Sequence, residues 1–223
     1  MSTARALEAL CAQVRTRFAA ETVQRDSAHD LAHVGRVAAH AEAIAREVGA
    51  ETTVCVAAAW LHDLVWLPKN HPEASQCAAR TALEIPECLA RVGLGQHAHA
   101  VVLAVEEHPF SLGRAPSTLE AAVLQDADRL DALGAIGIAR CFATGGSFGG
   151  ALWHPTDPFA VGGRALDDKA FSLDHFERKL SRLAAGMNTA PGRARAVARR
   201  TTMEAYLEAL RLELSAAPSD LDA

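Results

Sequence analysis

Residues 34–49 read VGRVAAHAEAIAREVG. Val34, Val37, Ala38, Ala41, Ile44, Ala45 and Val48 recur at intervals of three and four, the spacing that lines one face of an α-helix, and Gly49 follows as a stop signal. The same period continues outward from this helix. Val54, Ala57, Ala58, Leu61 and Val65 form a second stripe closed by Pro68, and Val101, Val102 and Val105 mark a helix ending near His108 and Pro109. Ser117, three residues before Glu120, predicts a capping box that opens a helix running through Leu130. Leu173 to Leu183 and an Arg/Ala-rich segment from Ala194 to Leu214 complete the helical reading. Strand-like alternation is nearly absent, so the expected fold class is all-α.

One irregular region, Gly145 to Asp168, interrupts the pattern with GGSFGG, Pro155 and Pro158. No Gly-Lys-Ser/Thr follows the glycines and no strand precedes them, which excludes a Walker loop and a dinucleotide fingerprint. The segment reads either as a connector or as a lid that brings Phe148, Trp153 and Phe159 over a site. The expected organisation is one domain over 1–223, with chemistry-bearing motifs at 29–141, the loop at 145–168 and C-terminal helices at 171–214.

Composition narrows the function. The chain has 223 residues, half of them hydrophobic and 22% charged, which fits a globular domain. Its 22 basic and 27 acidic residues leave a net charge of -5, so no general basic field exists to hold nucleic acid. No apolar run reaches the length of a membrane span, and residues 1–20 lack the pattern of a signal peptide, so a cytoplasmic location is expected. Five cysteines without a CxxC pair read as buried thiols.

The chemistry sits in histidines and aspartates. In AAAWLHDLVW, residues 57–66, His62 and Asp63 stand at the end of an apolar helix, where a buried carboxylate needs a partner or a cation. His29 and His33 are four apart in HDLAH, a spacing shared with HExxH metallopeptidases, although Asp30 replaces the glutamate and that reading would also need a third ligand further on. LQDADRLDALG, residues 124–134, places Asp126, Asp128 and Asp131 on a helix that is apolar nearly all round. Helix caps do not account for mid-helix aspartates, and Arg129 can pair with only part of their charge, so a bound cation is the economical reading.

The order HDLAHVGRV, LHDL and DADRLDALGAIGIARCF resembles the HD superfamily of metal-dependent phosphohydrolases. The resemblance covers roughly Asp26 to Cys141 and implies an all-α bundle that holds one divalent metal. Carried over by motif, it implies His33, His62, Asp63 and Asp128 as ligands. Periodicity places Asp126 on the stripe of Leu119, Val123 and Leu130, while the family's DxxDAL pattern matches Asp128. The fourth ligand is therefore expected to be Asp128, with Asp126 supporting the ligands and Asp131 a base or partner. Such a nitrogen and oxygen set suits Mn(II), Fe(II), Co(II), Ni(II) or Zn(II), with Mn(II) favoured.

Asp63 and Lys69 are the expected catalytic residues, and Lys69 and His108 the expected contacts to phosphate. Arg36 is expected to hold aspartates in place. Where some members of the superfamily carry an acidic residue after the HD pair, this chain has Leu64, Val65, Trp66 and Leu67, so the base is expected to be Glu106, Glu107 or Asp131, or the metal alone suffices. The resemblance implies a phosphohydrolase acting on a small phosphorylated substrate, with a nucleoside triphosphate cut to monophosphate and pyrophosphate the leading expectation. A nucleoside monophosphate phosphatase and a nucleotide sensor without turnover are the alternatives.

Overall fold

The computed structural model describes residues 2–21, 25, 26, 28–68, 71–147 and 149–215. Among these, all regular structure is helical apart from one isolated bridge between Ala151 and Phe171. The long helices are α1 (Thr3–Ala19), α2 (Leu31–Val48), α3 (Thr52–Leu61), α4 (Cys77–Arg91), α5 (Ala98–Glu107), α6 (Leu119–Asp131) and α7 (Gly134–Ser147). A π-turn at Phe176–Leu180 leads into the short α8 (Ser181–Leu183), and α9 (Ala190–Ser215) closes the chain.

The sequence explains most of these ends. Asp30 caps α2, its carboxylate accepting from the His33 backbone N–H at 2.7 Å, and Gly49 ends the helix with φ of 73°. The cap also leaves His29 outside α2, so His29 and His33 do not share a helix face as the HxxxH spacing suggests. Helix α6 starts one residue later than the capping-box reading. Thr118 accepts from the Ala121 N–H at 3.1 Å, and Glu120 instead accepts from the backbone of Glu51 at 3.0 Å. Helix α4 escapes the period reading because Pro86 lies inside it, yet Ala78, Thr81, Ala82, Ile85 and Leu89 line its buried face.

Helix α3 stops at Leu61, four residues short of the expected stripe. It is buried nearly all round and packs between α2, α5 and α6. The apolar cluster it anchors runs from Ala6 to Leu210 and includes Leu10, Ile44, Leu61, Leu89, Leu124 and Leu130. Burial of each such side chain contributes roughly 2 kcal/mol, enough to hold polar groups at the cluster's edge against their desolvation.

The segment expected to be irregular is shorter and better anchored than its glycines suggest. Helix α7 runs through its first three residues, to Ser147. Beyond it, the Arg164 guanidinium grips Asp174 with two contacts of 2.6 Å, and Trp153 and Phe159 pack against the core. Arg211 of α9 also lies over the Phe159 ring at 4.1 Å. These two aromatic residues therefore pin the segment to the core. Phe148 lies outside the described residues. Residues 173–183 form a π-turn and a single short turn of helix, not one continuous helix, and α9 starts four residues before the expected Ala194.

Candidate metal centre

Four helices bring their chemistry to one place. His33 projects from the first turn of α2, His62 follows the last residue of α3 with Asp63 behind it, His108 follows α5, and Asp128 sits within α6. His33 Nε2 lies 3.3 Å from His62 Nε2, 3.6 Å from Asp63 Oδ2 and 3.6 Å from Asp128 Oδ1. His62 Nε2 is 3.4 Å from Asp63 Oδ2. Within this cluster, His33, His62 and Asp128 form one triad able to share an ion, and His62, Asp63 and His108 another. The four residues expected as ligands are thus brought together, with His108 buried beside them.

The other nitrogen of each ring is already committed. His62 Nδ1 donates to the Ala59 carbonyl at 2.8 Å and His108 Nδ1 to the Val105 carbonyl at 2.6 Å, each one turn back on its own helix. His33 Nδ1 is 2.7 Å from Asp131 Oδ2. With His62 and His108 donating through Nδ1, and His33 Nδ1 turned toward Asp131 and Arg140, the three Nε2 atoms face one another and two carboxylates. Five electron-rich groups that converge without a donor between them call for a positive charge.

The electrostatics agree. Burial alone would lower His62, but the adjacent Asp63 carboxylate overrides it and raises the imidazole to about 9. A proton then takes the place of a cation. Burial pushes His33 down, with the Asp131 hydrogen bond opposing, and it pushes His108 down with help from His62. Burial would raise Asp63 and Asp128, yet the surrounding imidazoles hold both below the ordinary carboxylate range. Ligands about 2.1 Å from a common ion sit roughly 3 Å apart when cis, so spacings of 3.3–3.6 Å fit a divalent ion after slight contraction.

The two other aspartates of α6 part company. Asp131 is fully buried and accepts from His33 Nδ1, from Arg36 Nε at 2.7 Å and from Arg140. Burial would raise its carboxyl, but these donors hold it well below its usual range, so it supports His33 and is saturated as a base. Asp126, expected beside the ligands, is also fully buried but faces the start of α9. It accepts from the backbone N–H groups of Asn188 and Thr189 at 2.7 Å each and from the Thr189 hydroxyl at 2.7 Å. A Cβ at Gly192 would lie 2.3 Å from its Oδ2, which is why the residue there is glycine. Glu107 is likewise committed, accepting from the Ser117 N–H at 2.8 Å.

A cavity of about 660 Å³ opens beside Asp128, between α6, α7 and the 168–183 segment. Its wall carries Arg129, Arg140, Lys169 and Lys179, together with His29. His29 Nδ1 is held by Asp26 Oδ1 at 2.6 Å, which leaves Nε2 as the ring's second polar atom. Sequence reading noted His29 only for its spacing. Its role at the cavity follows from the turn before α2, where Asp26 also accepts from the backbone N–H groups of Ala28 and His29. Lys69 lies outside the described residues.

Comparison with known proteins accords with this geometry. The family model described as HD domain matches residues 30–133. The Bacillus subtilis (strain 168) protein YpgQ, named as uncharacterized, is 30% identical over 207 residues, covering 91% of this chain and 92% of its own length. The crystal structure of Bacillus subtilis YpgQ in complex with ADP matches with a TM-score of 0.73 at 28% identity and covers both chains completely. An HD-superfamily hydrolase from Bacillus thuringiensis matches with a TM-score of 0.72 at 28% identity, over 97% of this chain and 100% of its own.

Proposed function

Because this chain belongs to the HD-domain superfamily, we propose that it is a metal-dependent phosphohydrolase whose substrate is a nucleotide, cut between the α and β phosphates when it is a triphosphate. The observation that carries this reading is the join between the His/Asp cluster and a cavity whose wall carries Arg129, Arg140, Lys169 and Lys179, in a chain of net charge -5. The volume of about 660 Å³ suits a nucleotide-sized ligand, and the related YpgQ has been crystallised with ADP.

His33, His62, Asp63 and Asp128 would hold the ion, with His108 close enough to join them. A divalent ion there, Mn(II) first among the candidates, would supply Lewis acidity toward a phosphoryl oxygen and an activated water. The chain's own groups do the rest. Asp131 and Arg36 keep His33 in one tautomer and one orientation. Arg129, Arg140, Lys169 and Lys179 offset phosphate charge, and the charge that builds on the departing pyrophosphate. His29, braced by Asp26, takes the proton from the attacking water and replaces the acid that the apolar run Leu64 to Leu67 does not supply.

The test is a panel of nucleoside mono-, di- and triphosphates with several divalent metals, with products separated by chromatography. A triphosphate giving monophosphate plus pyrophosphate, abolished by chelator, is the expected result. Nucleoside plus orthophosphate from a monophosphate, with triphosphates untouched, overturns the choice of bond. Tight binding without turnover identifies a sensor instead.

A further inference from the structure

Successive side chains on an α-helix diverge by about 100°. His62 and Asp63 are successive and still place Nε2 and Oδ2 3.4 Å apart, so their convergence depends on the turn that begins where α3 stops. That turn leaves carbonyl groups without helical partners, and a buried carbonyl needs a donor. Arg25, from the connection between α1 and α2, supplies it. Its Nη1 donates to the Asp63 carbonyl at 2.7 Å and its Nη2 to the Leu64 carbonyl at 3.0 Å.

The guanidinium is itself tightly held. Its side chain is only 6% exposed, it grips both carboxylate oxygens of Glu21 at 2.6 Å, and it lies 3.9 Å over the Phe18 ring at the end of α1. Glu21 balances its charge, while the face of Phe18 sets its plane. On the other side of the turn, the Val65 N–H donates to Thr81 Oγ1 of α4 at 3.0 Å. The backbone at and just after Asp63 is thus clamped from the α1–α2 connection and from α4, and no atom of Arg25 needs to touch the ion.

We propose that Arg25 is a positioning residue for the metal ligand Asp63, fixing the turn after α3 so that its carboxylate meets His62 and His33. This rests on the metal site of the proposed function. A fork with two donors is required, because an ammonium group does not span both carbonyls with fixed geometry.

The experiment is a Co(II) titration of the full chain after chelator treatment, followed by visible absorption and calorimetry, for wild type, Arg25→Gln and Arg25→Lys. Wild type is expected to take up one Co(II) with a defined ligand-field spectrum. Arg25→Gln should bind roughly 10- to 100-fold more weakly, the range for losing a group that orients a ligand, and with altered bands. Arg25→Lys should fall between the two, and it carries the test if the glutamine variant does not fold. A variant that is folded, with reduced melting temperature but wild-type Co(II) affinity and spectrum, assigns Arg25 to stability alone and overturns the proposal. Failure of wild type itself to bind Co(II) overturns the metal reading, and this inference with it.

Discussion

Helix α6 carries two buried acidic sites on opposite sides, Asp126 toward α9 and Asp128 with Asp131 toward α2 and α3. The same short motif encodes both, with Asp126 and Asp131 fully buried and Asp128 partly open to the cavity. What separates them is the company they keep. Asp126 is met by neutral donors, two backbone N–H groups, the Asn188 amide and a hydroxyl, that leave nothing for a further ligand to satisfy. Asp128 is met by imidazoles whose N–H groups are used elsewhere. Burial of a carboxylate therefore says little about function. The protonation state of its neighbours says more.

The comparison breaks first on the ligands. His62→Ala or Asp63→Ala should abolish metal uptake and lower turnover at least a thousandfold, about 4 kcal/mol in the barrier. Metal analysis of the purified variants together with steady-state rates checks this, and near-normal metal content in Asp63→Ala would defeat it. The opposite side gives the next largest effect. Asp126→Ala strands several buried donors and should cost about 3 kcal/mol of stability, measured by denaturant unfolding in chelator, while metal stoichiometry stays at the wild-type value. Metal loss in folded Asp126→Ala would erase the distinction between the two sides.

Sequence reading could not have drawn that distinction. The family pattern pointed to Asp128, and helical period correctly marked Asp126 as inward, but period cannot say inward toward what. The partners of Asp126 lie more than sixty residues later, in a stretch with no pattern of its own. The same limit explains the region around Gly145 to Asp168. Its order comes from long-range pairs such as Arg164 with Asp174, which leave no periodic trace. Helices α2 and α5 were legible because each buries a stripe against its neighbours, and α6 from its capping residues and the apolar run that follows them. The apolar composition and the LHD sequence were legible for α3, but not its end, which is set by the turn after Leu61.

A smaller effect sharpens the α9 side of the comparison. His40 accepts at Nε2 from Arg199, 2.7 Å away, and Arg199 also donates to the Leu130 carbonyl of α6. Burial first, and then Arg199, lower His40 from 6.5 to about 4, with Arg195 and Arg36 acting in the same sense and Asp131 opposing. The folded state thus keeps His40 neutral where the unfolded chain binds a proton. Stability tied to this residue is present above pH 6.5 and is lost as pH falls toward 4. Wild type in chelator should lose about 2 kcal/mol more than His40→Gln across that window, allowing for solvent screening. Parallel unfolding curves for the two proteins would show that Arg199 does not depend on a neutral His40.

The smallest expected effect tests the cationic part of the cavity wall. Arg36 and Arg140 donate to Asp131, and Arg140 shares the cavity wall with Lys169 and Lys179 from the segment that follows the loop. If their work is to offset a polyphosphate, Lys169→Gln and Lys179→Gln should each lower kcat/KM for a nucleoside triphosphate about tenfold, or about 1.4 kcal/mol. The loss should shrink for a monophosphate, which brings less charge into the cavity, and should narrow as ionic strength rises. Metal content should not change, because neither lysine belongs to the His/Asp cluster. Equal losses for mono- and triphosphate would mean that the lysines shape the wall without reading the length of the phosphate chain, and the assignment of the scissile bond would then have to rest on product analysis alone.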